Sequence, residues 1–295
     1  MTRETTIENM ASGPDVAAAQ AEAAAGRAGV RVCELQDLSA TRAAAELYQT
    51  VWQAETGAAP VSSDLMRALS HAGGYVAGAY VGDRLVAASL GFHSGGAEAG
   101  LHSHISAVLP DVQGRDVGRA LKLHQRSWAL AHGLRTVSWT YDPLLRRNAW
   151  FNLTKLGARA VGYLVDFYGV MQDAQNKGDE SDRVVARWNL EAPNVVAAAD
   201  GLQTELVVDD LLRDGARVAL CERDGVPAAL GVPSLTPCVL VQIPADVQRL
   251  RVLDPALARR WRQASREVLE PLLTGPYVAT GFCRSGWYVL EERPA

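Results

Sequence analysis

Two histidines spaced two residues apart, His102 and His104, lie in the run "LHSHISAVLP", and a Gly-punctuated turn, "DVQGRDVGRAL", begins at once behind it. A neutral imidazole accepts a proton near pH 7, so either histidine has the chemistry of a general base. Alternation along a strand puts both on one side of the chain. The turn leaves an apolar run and enters a helix near Gly118. That layout suits an anion. The first N–H groups of a helix lack partners within it, the helix dipole favours negative charge there, and glycine lets the backbone approach a phosphate closely. One residue of the turn, Asp116, is itself an anion. Aspartate tolerates left-handed backbone, so the turn survives, but a carboxylate near a phosphate costs on the order of 1 kcal/mol when exposed. Arg115 and Arg119 flank Asp116 and could neutralise it.

The elements that must position these groups begin at residue 30 with the strand "VRVCEL". "SATRAAAELYQTVWQAETG" follows, with Ala43, Ala44, Leu47, Tyr48 and Val51 at helical spacing and Ser39 as the expected N-cap. A second helix fits residues 63–71. "YVAGAYV" and "LVAASLGF" form a hairpin about "GDR", and a Gly-rich loop leads to the histidine strand. Beyond the turn come a helix over 118–132, the strand "RTVSWTY", the helix "RNAWFNLTKLG", and the strands "RAVGYLVDFYG" and "RVVARWNL". The order β-α-α-β-β-β-α-β-α-β-β predicts a mixed α/β sheet covered by helices over residues 30–190. Residues 1–29 are alanine-rich, with little large apolar surface to bury, and are expected as a disordered or loosely helical tail. Residues 191–201 are expected as a linker, and 202–295 as a smaller α/β subdomain. Its main helix has Asp254 as N-cap, Pro255 in the first turn, and Leu257, Trp261, Ala264, Val268 and Leu272 on one stripe. No clear internal repeat is visible, and a degenerate echo of the first half stays open.

Composition narrows the classes. Of 295 residues, 48% are hydrophobic and 21% charged, with a net charge of -4 and no basic stripe, which argues against nucleic acid as a partner. Cys33, Cys221, Cys238 and Cys283 are far apart, so no metal is expected and reduced thiols in the cytoplasm are. No run approaches about 18 apolar residues, so no membrane partner is expected, and the acidic N-terminal stretch is not a secretory signal. Further polar groups stand out. Asp142 follows a strand at the sheet edge where ligands gather. Asn148 and Asn152 lie four apart and could share a helix face. Arg262 and Arg266, also four apart, repel unless countered; Glu270 could pair with Arg266, or the two could hold a carboxylate-bearing substrate or acyl group.

The turn fits neither the dinucleotide fingerprint nor the Walker A loop. It resembles the acyl-CoA loop of the GNAT superfamily, the Gcn5-related N-acetyltransferases, whose motif reads Q/R-x-x-G-x-G/A. Gln113 matches the first position and Gly118 the last. The resemblance covers about residues 30–190 and includes the element order and "KLGA", similar to the family's "KLGF". More narrowly, "HSHISAVLP", "LKLHQR", "WTYDPLLRRNAWFNLTKLGA" and "DFYG" resemble a branch of long GNAT proteins, whose C-terminal extension is similar to "VQIPADVQRL" and "DPALARRWRQASREVLE".

That resemblance implies an N-acyltransferase moving an acyl group from acetyl-CoA or another acyl-CoA, such as succinyl-CoA, to the amine of a small metabolite. Direct attack in a ternary complex is implied, and a homodimer is compatible with it. It implies that Gln113, Gly114, Arg115, Asp116, Val117, Gly118 and Arg119, with Asn148 and Asn152, hold CoA, and that N–H groups around Ala107 and Val108 polarise the thioester. His104, seconded by His102, would be the base. The family's usual tyrosine acid falls on Leu153, leaving Tyr141, Tyr163 and Tyr168 as substitutes, with Asp142 a further catalytic candidate. Asp116 stands where a glycine is usual. Two alternatives therefore stay open: a GNAT scaffold repurposed for other chemistry on a small molecule, and a non-catalytic binding protein.

Overall fold

A computed structural model describes residues 13–53, 59–95, 99–169, 171, 179–231 and 236–293. Helix α1 (Gly13–Ala28) precedes strand β1 (Arg31–Glu34), helices α2 (Leu38–Trp52) and α3 (Ser63–His71), and the meander β2 (Tyr75–Val81), β3 (Arg84–Ser94) and β4 (Gly100–Val108). Then come α4 (Val117–Ala131), β5 (Thr136–Tyr141), α5 (Arg146–Ala149), a π-helical stretch (Trp150–Lys155), β6 (Arg159–Leu164) and β7 (Arg183–Asn189). From β1 to β7 this is the element order that the hydrophobic periodicity predicts. One cap differs. Asp37, not Ser39, caps α2: its carboxylate accepts from Ala40 N at 2.8 Å, and the Ser39 hydroxyl donates to Asp37 as well. An ionised acceptor makes the stronger bond to a helix N-terminus.

The remainder holds α6 (Pro193–Asp200), α7 (Val208–Arg213), β8 (Arg217–Arg223), β9 (Val226–Ala229), β10 (Cys238–Gln242), α8 (Val247–Leu253), α9 (Pro255–Thr274), β11 (Tyr277–Cys283) and β12 (Trp287–Glu292). All strands join one sheet in the order β1-β2-β3-β4-β5-β7-β6-β11-β12-β10-β8-β9. The two halves meet through the antiparallel pair Ala160–Ala279 of β6 and β11. Either side of that seam the strands echo one another. β4-β5-β7-β6 runs parallel, antiparallel, antiparallel, and so does β8-β10-β12-β11. The echo is in topology, not in sequence, and it is incomplete: β9 stands where α4 stands in the first half. Helix α9 covers β6 and β8–β11 with a stripe that includes Trp261, Val268, Leu269 and Leu272, all buried, and Asp254 caps it as the sequence predicts.

Two segments expected to be loose are built into the fold. Of the tail expected over residues 1–29, residues 1–12 lie outside the described residues, and residues 13–28 are a helix packed along α4 rather than disordered or loosely helical. The absence of large side chains is what allows it. Ala17, Ala21, Ala24 and Ala28 form a buried seam of small residues on a strongly helix-favouring sequence, so the two helices approach closely. Gln20 fixes the pairing, taking a bond from Arg126 at 2.6 Å and donating to Asp200 at 2.8 Å. Within the expected linker, residues 193–200 form α6, whose Val195, Ala198 and Ala199 are buried. Among the described residues, no helix is long and apolar enough to cross a membrane.

Candidate active site

Strands β4 and β5 pair in parallel only at Leu101–Val137 and His102–Ser138. Beyond that point they part. The register of β4 on β3 jumps there too: Gly91 faces Ser103 and Leu90 faces Ile105, so His104 is the extra residue of a β-bulge. The strand bends away from β5, and its backbone groups from 103 onward lose the partner that β5 would have supplied. A cleft of about 1520 Å³ occupies the gap, and His104, Ala107, Val108, Trp139, Thr140 and Tyr141 are among its walls.

The mouth of the cleft is the Gly turn. Gly114, at φ 84°, and Asp116, at φ 61°, both take left-handed backbone. Asp116 is the last residue before α4, and its side chain caps no N–H of that helix, so the first amides of α4 stay open. Gln113 braces the turn, donating from Nε2 to Val108 O at 3.1 Å and accepting from Arg147 Nη1 at 2.7 Å. The Asp116 carboxylate pairs with Lys155, at the end of the π-helical stretch. Lys155 therefore does what Arg115 and Arg119 were expected to do. The Arg119 guanidinium is buried and donates to Ala198 O and Ala199 O at 3.0 and 2.8 Å, closing the C-terminus of α6. Arg115 is exposed and is not among the residues lining the cleft.

With Asp116 half exposed and already paired, neutralising it should be nearly free for folding. Asp116→Asn keeps a residue that tolerates left-handed backbone and releases the Lys155 ammonium. The expected outcome is about fivefold tighter CoA binding in a calorimetric titration. An unchanged dissociation constant would place the carboxylate out of reach of the phosphates.

His104 is exposed to the cleft, and its partial burial lowers its pKa below the usual 6.5, which leaves it neutral at pH 7. His102 does not line the cleft. Both imidazoles lean on Phe92, with ring centres 5.1 and 5.8 Å away, so the pair does share a face, but only the bulged member reaches the opening. Asn148 and Asn152 both border the cleft. Leu153, where the family resemblance puts a tyrosine, is buried in the core. Tyr163 is also internal, donating to Asp182 Oδ2 at 2.6 Å. Tyr168 is 43% exposed and lines the cleft, with its hydroxyl 3.4 Å from Thr140 Oγ1.

Asp142, Arg262 and Arg266 are placed differently from expectation. Asp142 is buried, and Arg262 binds both of its oxygens at 2.9 and 3.0 Å while Arg251 adds a bond at 2.6 Å. Burial would raise its pKa, but the two guanidiniums outweigh that and hold it well below the usual carboxylate range, so it is no base. Arg262 and Arg251 also bind Asp179, and Arg266 binds Asp182 and Glu180 rather than Glu270. These arginines hold the chain's own carboxylates. The spacing of two arginines on a helix cannot show that Asp142 and residues 179–182 supply the counter-charge from over 80 positions away.

One residue of the cleft gave no signal in the sequence. Lys122, on α4, is 6% exposed and donates to Ser103 Oγ at 3.2 Å and Gln125 Oε1 at 2.6 Å. Its ammonium stands 3.9 Å from the centre of the Trp139 ring. Burial pushes its pKa down to about 7. In sequence it is one lysine of a helix with mixed polarity.

The bulged, parted strand pair and the open helix N-terminus join the Gln113 turn in one site, and the family model described as "Acetyltransferase (GNAT) domain" matches residues 16–143. That match covers less than half of the chain. The matched stretch contains most of helix α1, the bulged strand, the turn and Lys122. No curated protein matches it. Solved structures similar to it include the ribosomal-protein-S18-alanine N-acetyltransferase of Escherichia coli, at 15% identity and TM-score 0.43, over 55% of this chain and 95% of that one. The ribosomal-protein-S5-alanine acetyltransferase of Vibrio fischeri is similar at 12% identity and TM-score 0.42, over 55% and 94%. RimJ of Mycobacterium smegmatis, solved with CoA-disulfide, is similar at 16% identity and TM-score 0.45, over 60% and 92%.

Proposed function

We infer that this protein moves an acyl group from an acyl-CoA, acetyl-CoA or succinyl-CoA, to the amine of a small metabolite by direct attack within one ternary complex. The observation that supports this reading is the parting of β4 and β5 above a turn whose helix amides are open and whose one carboxylate is neutralised by Lys155. The turn at residues 113–118 would take the pyrophosphate, and the edge of β4 that β5 leaves at Ala107 and Val108 would take the thioester arm. Asn148 and Asn152 border the same wall.

In this reading His104, neutral at pH 7, takes the proton of the substrate ammonium, directly or through water. The freed amine attacks the thioester carbonyl while N–H groups of the β4 edge polarise it. As the C–N bond forms, the C–S bond breaks, Tyr168 gives its proton to the departing thiolate, and the nitrogen's remaining extra proton leaves to restore the Tyr168 hydroxyl. The test is thiol release from acetyl-CoA against a panel of small primary amines, with the protein followed by intact mass. Release matched one-to-one by acylated amine, with no acylated protein, is expected. Thiol release without an acylated amine, or a protein that gains the acyl group, would overturn the reading. A carboxylate in the turn, together with a buried Leu153 where the resemblance puts a tyrosine, favours a second reading, in which the turn holds no pyrophosphate and the cleft serves other small-molecule chemistry. Binding of small amines unaffected by saturating CoA would favour it.

A further inference from the structure

Lys122 is a cation of the cleft without a counter-charge. Its partners Ser103 and Gln125 are neutral, as are the Trp139 and Trp188 rings that face it at 3.9 and 5.6 Å, and no Asp or Glu among the described residues pairs with it. Beside it, the Gln125 amide nitrogen is buried with no hydrogen-bond partner, so the polar cluster lacks an acceptor. A buried amine without an opposite charge, next to an unpaired N–H₂, is costly to keep. Arg119, another buried basic side chain of the cleft, by contrast donates to carbonyls of α6.

Position turns this into a site. Lys122, Ser103 and Trp139 all line the cleft, and Ser103 is the first residue of β4 past its last pair with β5. A ligand lying between the two strands from the turn inward would end at this cluster. Resting on the acyl-transfer reading above, we propose that Lys122 and Ser103 form a subsite for a ligand carboxylate. That carboxylate is either the distal group of a dicarboxylic acyl chain or the acid group of an amino-acid-like acceptor. The anion subsite suggested by the spacing of Arg262 and Arg266 thus belongs to Lys122, because those arginines are satisfied internally.

Calorimetric titration of the full chain tests this with two matched pairs. Acetyl-CoA and succinyl-CoA differ by a carboxylate on the acyl group. Ethylamine and alanine, added with CoA present, differ by one on the acceptor. Wild type is expected to prefer the carboxylate-bearing member of one pair by at least about tenfold, and the pair that responds identifies the source. Lys122→Met should bring that ratio close to one, and Lys122→Gln should do the same. The methionine variant should fold and melt higher than wild type, because it replaces an uncompensated buried amine with an apolar chain of similar shape. Equal affinities within both pairs, or a preference that survives in both variants, would overturn the proposal. Absence of binding by either acyl-CoA would overturn the acyl-transfer reading and this proposal with it.

Discussion

His104→Ala is expected to lower turnover by about 10²–10⁴-fold while leaving the dissociation constant for CoA unchanged. The imidazole stands on the bulge of β4, away from the turn that would hold the phosphates, so removing it touches proton transfer and not cofactor grip. The pH profile carries a second signature. A base must be neutral to act, and partial burial holds His104 below the usual 6.5. In wild type, kcat/KM should therefore stay flat down to below that value and then fall about tenfold per pH unit. In His104→Ala that acidic limb should disappear. His102→Ala is the control: it removes a ring that leans on the same Phe92 but does not border the cleft, and it should keep the limb. Equal losses in both variants would assign the histidines a shared structural role.

The second large effect is on stability. Arg262→Met should destabilise the protein by about 3–5 kcal/mol, a fall in Tm of roughly 8–15 °C, because it strands two buried carboxylates at once. Asp142 and Asp179 both have side chains 3% exposed, and Arg262, 1% exposed, bridges them. Arg251, which bonds to both, is left to serve them. The sign with pH follows from the lowered pKa of Asp142. Its contribution is fully present above the ordinary carboxylate range and is lost as pH falls through the depressed value. Wild type should hold its fold into moderately acid solution, and Arg262→Met should begin to unfold at higher pH. Thermal melts from pH 7 downward measure both. A variant that melts within 2 °C of wild type would mean that these carboxylates find other partners.

Most of the scaffold was legible because its signals are local. Period-two and period-3.6 patterns mark each strand and helix from β1 to β7. The Gly turn announces itself by Gln113, Gly114 and Gly118. Helix α1 is not legible in the sequence because apolar size is a poor guide to burial when alanines build the seam. The seam shows only once α4 is known to lie against it. The site residues divide in the same way. His104 could be picked out because it lies on the strand leading into the turn, although the bulge that separates it from His102 leaves no mark in composition. Asp142, Arg262 and Arg266 looked functional one at a time. Their meaning is in pairings across more than 80 residues, which no spacing rule reaches. Lys122 is hidden for the opposite reason: a lysine on an amphipathic helix is expected to be solvated, and only the packing of Trp139 and Trp188 around it shows otherwise.

The central claim is that the gap between β4 and β5, with the turn at its mouth, binds acyl-CoA despite the aspartate in that turn. Calorimetric titration of the full chain with acetyl-CoA tests it most directly. The structure predicts one equivalent bound with a micromolar dissociation constant, because open helix amides and the paired Asp116–Lys155 leave the turn free to take a pyrophosphate. Absence of binding at about millimolar acetyl-CoA, in wild type and in Asp116→Asn alike, would contradict it.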